Sequence, residues 1–150
     1  PNNRTRGTYL RENWEPIQDQ VTTFSEYINV IPEIQMIHTS GHSNGHSIIL
    51  LKQGKDTMIH MGDLMLSHVH RNPLWVPAVD DYPMKSILAK KKWLRQAFEN
   101  HYKFFFYHDQ FFAVVEFDKE GKEFVDYVLR SRPPLIPFTD QQDRKPDFLG

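Results

Sequence analysis

A chain of 150 residues accommodates one domain around one core, and 39% hydrophobic with 13% aromatic residues excludes a disordered, collagenous or fibrous class. Eighteen Lys plus Arg against nineteen Asp plus Glu leave a net charge of −1, so the chain as a whole lacks the electrostatic footprint of a nucleic-acid or anionic-lipid binder. With no cysteine, disulfides, thiolate metal sites and cysteine nucleophiles are excluded, and any metal falls to the eight histidines and the carboxylates.

No apolar run approaches the roughly 18 residues of a membrane span, and no basic-then-apolar leader is present; a soluble, cytoplasmic protein is expected. The chain opens at Pro1 without a Met. Removal of an initiator Met and a missing upstream segment are both compatible with that start.

Residues 1–7 read as a loop, and Thr8 to Trp14, followed by Pro16, as a short helix or turn capped by Thr8. Val21 to Phe24, Tyr27 to Val30 and Glu33 to His38 are rich in β-branched and aromatic residues and predict short strands. Ser47 to Gln53 and Thr57 to Met61 flank Gly54-Lys55-Asp56, which predicts a hairpin. From Asn72 to Pro83 three prolines surround Trp75, which predicts an ordered loop able to form a pocket wall. Met84, Ile87, Leu88, Leu94, Ala97 and Phe98 fall near helical spacing and predict one long helix over about 83–100, with Lys90-Lys91-Lys92 and Arg95 on its solvated face. Lys103 to Tyr107, Phe111 to Phe117 and Phe124 to Leu129 predict three more strands, the last two joined at Lys119-Glu120-Gly121-Lys122. Beyond residue 130, Pro133, Pro134, Pro137 and Pro146 predict an extended tail over 131–150 that docks on a neighbour through Leu135, Ile136 and Phe138. The expected class is α+β, a mostly antiparallel sheet with one long helix, in a single domain over 1–130.

Chemistry concentrates at three strand ends. Between two predicted strands lies Thr39-Ser40-Gly41-His42-Ser43-Asn44-Gly45-His46-Ser47, whose glycines disfavour a helix and allow close backbone approach. A loop of this kind aims an imidazole inward with hydroxyls behind it, or is simply a hydrogen-bonded histidine turn. Gly62-Asp63 ends the strand Thr57 to Met61, and His108-Asp109 ends an aromatic strand. Taken singly each is an ordinary turn or a structural histidine, but three strand termini delivering His or Asp is how sites are built on a rigid sheet.

Thr39-x-Gly-His42-Ser-x-Gly-His46-Ser47, then Gly62-Asp63, then His108-Asp109 resemble the latter part of the metallo-β-lactamase superfamily. Arg4 to Ile17 and Gly62 to Lys85 resemble its lactonase-like branch, related to the enzymes that open acyl-homoserine lactones. The resemblance implies half of an αβ/βα sandwich with a dinuclear metal centre, usually zinc. It further implies His42 on the first metal, Asp63 bridging both and steering the nucleophile as the catalytic carboxylate, and His108 on the second metal. Thr39 and His46 would support the ligands from behind.

The superfamily's His-x-His-x-Asp-His element is absent, since the single His-x-His is His68-Val69-His70, which follows Gly62-Asp63 and lacks the Asp-His. By the resemblance His68 and His70, with Trp75, line the substrate pocket; a solvent-exposed pair fits equally well. The chain therefore reads as the carboxy-terminal half of a lactone or ester hydrolase. Two protein ligands per ion fall short of the usual three for catalytic zinc, so weak or partial metal binding and negligible activity alone are expected. Expected partners are the missing amino-terminal half or a second copy of the chain, and a small ester or lactone substrate, with no nucleic acid and no membrane. The other reading is a non-catalytic remnant whose uncovered sheet and tail bind a partner.

Overall fold

The computed structural model describes Gly7 and residues 10–131. Thr8 and the tail beyond Ser131, with the docking expected of Leu135, Ile136 and Phe138, lie outside the described residues. A short helix α1 (Arg11–Trp14) runs into a 3-10 turn (Glu15–Gln20) without a side-chain cap. Val21 to Phe24, expected as a strand, is not one: these residues pair with nothing in the sheet.

Seven strands form one sheet in sequence order: β1 (Tyr27–Ile31), β2 (Ile34–His38), β3 (Ser47–Gln53), β4 (Asp56–His60), β5 (Lys103–Phe105), β6 (Phe112–Phe117) and β7 (Phe124–Leu129). All neighbours are antiparallel except β4 and β5, which run parallel. A parallel pair needs a crossover, and α2 (Pro83–Glu99) supplies it. The mostly antiparallel sheet with one long helix is the architecture the sequence implied.

Strand alternation decides what lies under α2. Ile48, Leu50, Ile59, Phe104, Val115 and Phe117 share one face and are buried against Trp93, Leu94 and Ala97 of the helix. The helical stripe is not the one expected: Met84 and Leu88 are exposed, while Ser86, Lys90, Trp93, Leu94 and Ala97 face inward. Lys90 is thus a correction to the solvated-face reading, at 0% exposed. Its Nζ donates to the carbonyls of Asn72 (2.9 Å) and Trp75 (2.6 Å), which anchors the proline-rich loop to the helix. Burial lowers its pKa to about 8, partly offset by Asp80.

The opposite sheet face carries Ile34, Met36, Ile49, Leu51, Met58, His60, Phe105 and Val114 in register. These residues are only half-buried, because the core cluster lies entirely on the helix side.

Candidate metal centre

Three loops at one end of the sheet bring the predicted residues together. The first follows β2. Ser40 and Gly41 take positive φ (57° and 99°), turning the chain so that Gly41 packs against the helix at Ser86. The amides of Asp81 and Tyr82 then donate to the carbonyls of His42 (3.0 Å) and Gly41 (2.9 Å), fixing the loop to the start of α2. The second is the 3-10 turn Gly62–Leu64 after β4, where Gly62 has φ 53° and leaves room for the His46 ring. The third follows β5 and carries His108.

Asp63 is the meeting point. His42 Nε2 lies 3.2 Å from its Oδ2 and His108 Nε2 lies 3.3 Å from its Oδ1. Behind His42, Nδ1 lies 2.9 Å from Oδ1 of the buried Asp80. An ionised carboxylate only accepts, so His42 Nδ1 holds a proton toward Asp80, which leaves Nε2, facing Asp63 Oδ2, as the nitrogen open to a cation. Two donors on one tetrahedral zinc stand about 3.4 Å apart, which both Asp63 contacts approximate. The residues present therefore fit a divalent metal at each oxygen of Asp63.

His46 has no lone pair left for an ion. Its Nε2 accepts the Asp63 amide (3.1 Å) and its Nδ1 lies 2.8 Å from Thr39 Oγ1. Burial, then the neighbouring His42, lowers its pKa to about 4, which keeps the ring neutral and the Asp63 turn in place. Thr39 in turn ties to the His46 carbonyl through its own amide (2.9 Å).

Asp109 builds the third loop. Its carboxylate, 1% exposed, accepts the His68 amide (2.8 Å), His68 Nδ1 (2.6 Å) and the amides of Phe111 and Phe112 (both 2.9 Å). Burial would raise its pKa, but these four donors hold the carboxyl well below its usual range. Arg130 adds contacts to the carbonyls of Phe106 and Tyr107, so His108 projects from a braced turn.

A cavity of about 450 Å³ opens beside Asp63, lined by His46, Ser47, Ile49, His60, Gly62, Asp63, Tyr107 and His108. His68, His70 and Trp75, expected in the substrate pocket, are not in that lining. His68 is held by Asp109, His70 Nδ1 lies 2.9 Å from Ser67 Oγ, and Trp75 is exposed. Sequence alone singles out neither Asp80 nor His60 as a site residue, and reads Lys90 only as part of a solvated lysine run. Among the described residues no group of three or more His, Asp or Glu forms a metal-holding cluster.

No family model matches the chain, and no curated protein matches it. Solved structures do. A probable metal-dependent hydrolase from Staphylococcus aureus superposes with a TM-score of 0.84 at 37% identity, over 89% of this chain and 48% of its own. The hydrolase AbOPH of the β-lactamase superfamily gives 0.60 at 20% identity, over 82% and 43%. The chain shares the metallo-β-lactamase fold. A further neighbour in this superfamily, the dizinc quorum-quenching lactonase AidC, gives a TM-score of 0.62 at 17% identity over 88% of this chain and 48% of its own. The chain spans about half the length of the metallo-β-lactamase-superfamily structures it matches.

Asp80 is 2% exposed and holds His42 Nδ1 at 2.9 Å. Asp80→Asn is expected to lower metal affinity about 10–100-fold with little change in far-ultraviolet circular dichroism, since an amide can offer His42 the wrong partner. Unchanged zinc affinity by competition titration would remove Asp80 from the centre.

Proposed function

We propose that this chain carries one half of a metal-dependent hydrolase centre for lactones or other carboxylic esters. The observation that carries the reading is Asp63 with His42 and His108 at its two oxygens, 3.2 and 3.3 Å away, on the wall of an open cavity. A divalent metal there, most readily zinc, supplies an acidified water and a Lewis acid for the substrate carbonyl. His42 and His108 would hold the two ions and Asp63 would bridge them; Asp80 sets the tautomer of His42, and His46 with Thr39 holds the Asp63 turn. Asp63 is also the group placed to steer the attacking water and to pass a proton to the departing alkoxide. His68, His70 and Trp75 lie outside the lining of this cavity, and a role for them at the substrate is assigned only to the completed centre. That the structures sharing this fold include a lactonase and a probable metal-dependent hydrolase supports the reaction class.

The remaining ligands are proposed to come from a body seated on the half-buried sheet face of Ile49, Met58 and Phe105, the missing half or a second copy. Elemental analysis of the purified chain, with and without prior chelation, tests this. Expected are substoichiometric zinc that Asp63→Ala abolishes, and negligible ester hydrolysis. Strong chelator-sensitive esterase activity in the 150-residue chain would show that the centre is complete as it stands. Sedimentation should show self-association through the uncovered face, and a monomer at high concentration counts against that cover.

A second reading has one observation in its favour. The absence of a three-residue metal cluster among the described residues fits a non-catalytic, partner-binding remnant. A chain that binds no zinc, with or without Asp63, would select it.

A further inference from the structure

One imidazole in the cavity has no part in the metal centre. His60 ends β4 on the half-buried sheet face, opposite Ile49 in register and with its ring 4.8 Å from that of Phe105. The chain then turns sharply at Gly62, and the Gly62 amide donates back to His60 Nδ1 at 3.0 Å. That contact decides the tautomer. A nitrogen that accepts a hydrogen bond carries no proton, so in the neutral ring the proton sits on Nε2. Burial lowers the His60 pKa, in keeping with a neutral ring.

The same contact separates His60 from the ligands. To bind an ion through Nε2 the ring would need its proton on Nδ1, pointing at the Gly62 N–H, donor against donor. His60 is therefore a donor in the cavity wall, close to Asp63 and His108. Of the other polar side chains there, His46 is engaged at both nitrogens, Asp63 and His108 are engaged with each other, Ser47 Oγ donates to the Gly45 carbonyl, and Tyr107 is exposed at the rim.

We propose that His60 orients the substrate, donating its Nε2–H to a second acceptor oxygen next to the scissile carbonyl of an ester or lactone. This rests on the hydrolase reading above and narrows its substrate class. An ester whose only acceptor is the scissile carbonyl leaves this N–H desolvated and unpaired, and a site built around a hydrogen bond rejects analogues that lack the partner. Packing between Ile49 and Phe105 fixes the ring plane, so the preference is geometric as well as chemical.

The test uses the 150-residue chain with two probes, α-hydroxy-γ-butyrolactone and γ-butyrolactone. Long-range nitrogen–proton correlation spectra near neutral pH should show His60 in the Nε2–H tautomer, a result that needs no variant and no turnover. Addition of the hydroxylated lactone should shift the His60 Nε2 resonance, and γ-butyrolactone should not. His60→Phe keeps the packed ring and removes the donor; it should weaken the hydroxylated probe about tenfold or more and leave the parent lactone unchanged. His60→Gln, which restores an N–H, should recover part of the preference. An Nδ1–H tautomer, or equal loss of both probes in His60→Phe, overturns the assignment of His60 alone. A wild-type chain that shows the Nε2–H tautomer but binds neither lactone overturns the donor role of His60, while the hydrolase reading stands or falls separately on the zinc and chelation experiment above.

Discussion

Replacing Asp109 by Ala should lower the unfolding free energy by about 3–5 kcal/mol, the cost of removing one partner from a buried charged network. The side chain is 1% exposed and accepts four hydrogen bonds, two from His68 and one each from the amides of Phe111 and Phe112. Truncation leaves three amides and a ring nitrogen facing a void, and water has little access to replace the carboxylate. Asp109→Asn keeps an acceptor for Phe111 and Phe112 but sets an N–H₂ against the donors of His68, so its loss should be intermediate. Urea denaturation followed by tryptophan fluorescence orders the three proteins. Equal midpoints would show that the network is ornamental.

The same carboxylate predicts a pH dependence. Its folded pKa lies below the unfolded value of about 3.9, so the folded state binds this proton less readily than the unfolded state. The stabilisation is complete above that unfolded value and is lost as pH falls below it. Acid unfolding of Asp109→Asn should lack this component, and an acid limb parallel to the wild type would count against it. Because His108 is the next residue, the variant should also weaken zinc binding.

Gly41→Ala should cost about 3 kcal/mol, combining a left-handed φ that side chains disfavour with overpacking against a helix. At φ 99° an added Cβ would stand 2.6 Å from Ser86 Oγ and 2.9 Å from both Ser86 Cα and N. The two backbone contacts matter most, because α2 cannot yield there without shifting Lys90, Trp93 and Leu94 below it. The double variant Gly41→Ala with Ser86→Gly relieves only the Oγ contact and should recover less than half of the loss. Full recovery would mean that the side chain alone is responsible. Since the Gly41 and His42 carbonyls hold the amides of Tyr82 and Asp81, the variant should also displace His42 and reduce zinc binding at temperatures where the chain remains folded.

The loop glycines and strand-end carboxylates are readable because each imposes a local rule. Gly41 and Gly62 mark positive φ, and Asp63 and His108 follow apolar strands whose length sets where the chain leaves the sheet. That these residues meet at Asp63 followed from resemblance, not from spacing. Asp80 lies 38 residues from His42, and no local pattern couples them. Lys90 stands in a run of three lysines, which reads as solvated, and becomes a core residue only when the Asn72 and Trp75 carbonyls fold onto its ammonium. Val21 to Phe24 has strand composition but no neighbour to pair with, because β propensity is realised only against a partner.

The sequence by itself determined the sheet-forming segments, the hairpin at Gly54, the crossover helix and the three loops that carry His42, Asp63 and His108. Each is encoded in periodicity or backbone freedom over a few residues. Only the tertiary structure decided which face of α2 is buried, which nitrogen of His42 and of His60 holds the proton, and that His46 is spent on the Asp63 amide. A tautomer is set by the partner at the other nitrogen, and a buried charge by the carbonyls or carboxylates that reach it; both are contacts between distant segments that exist only once the chain has packed.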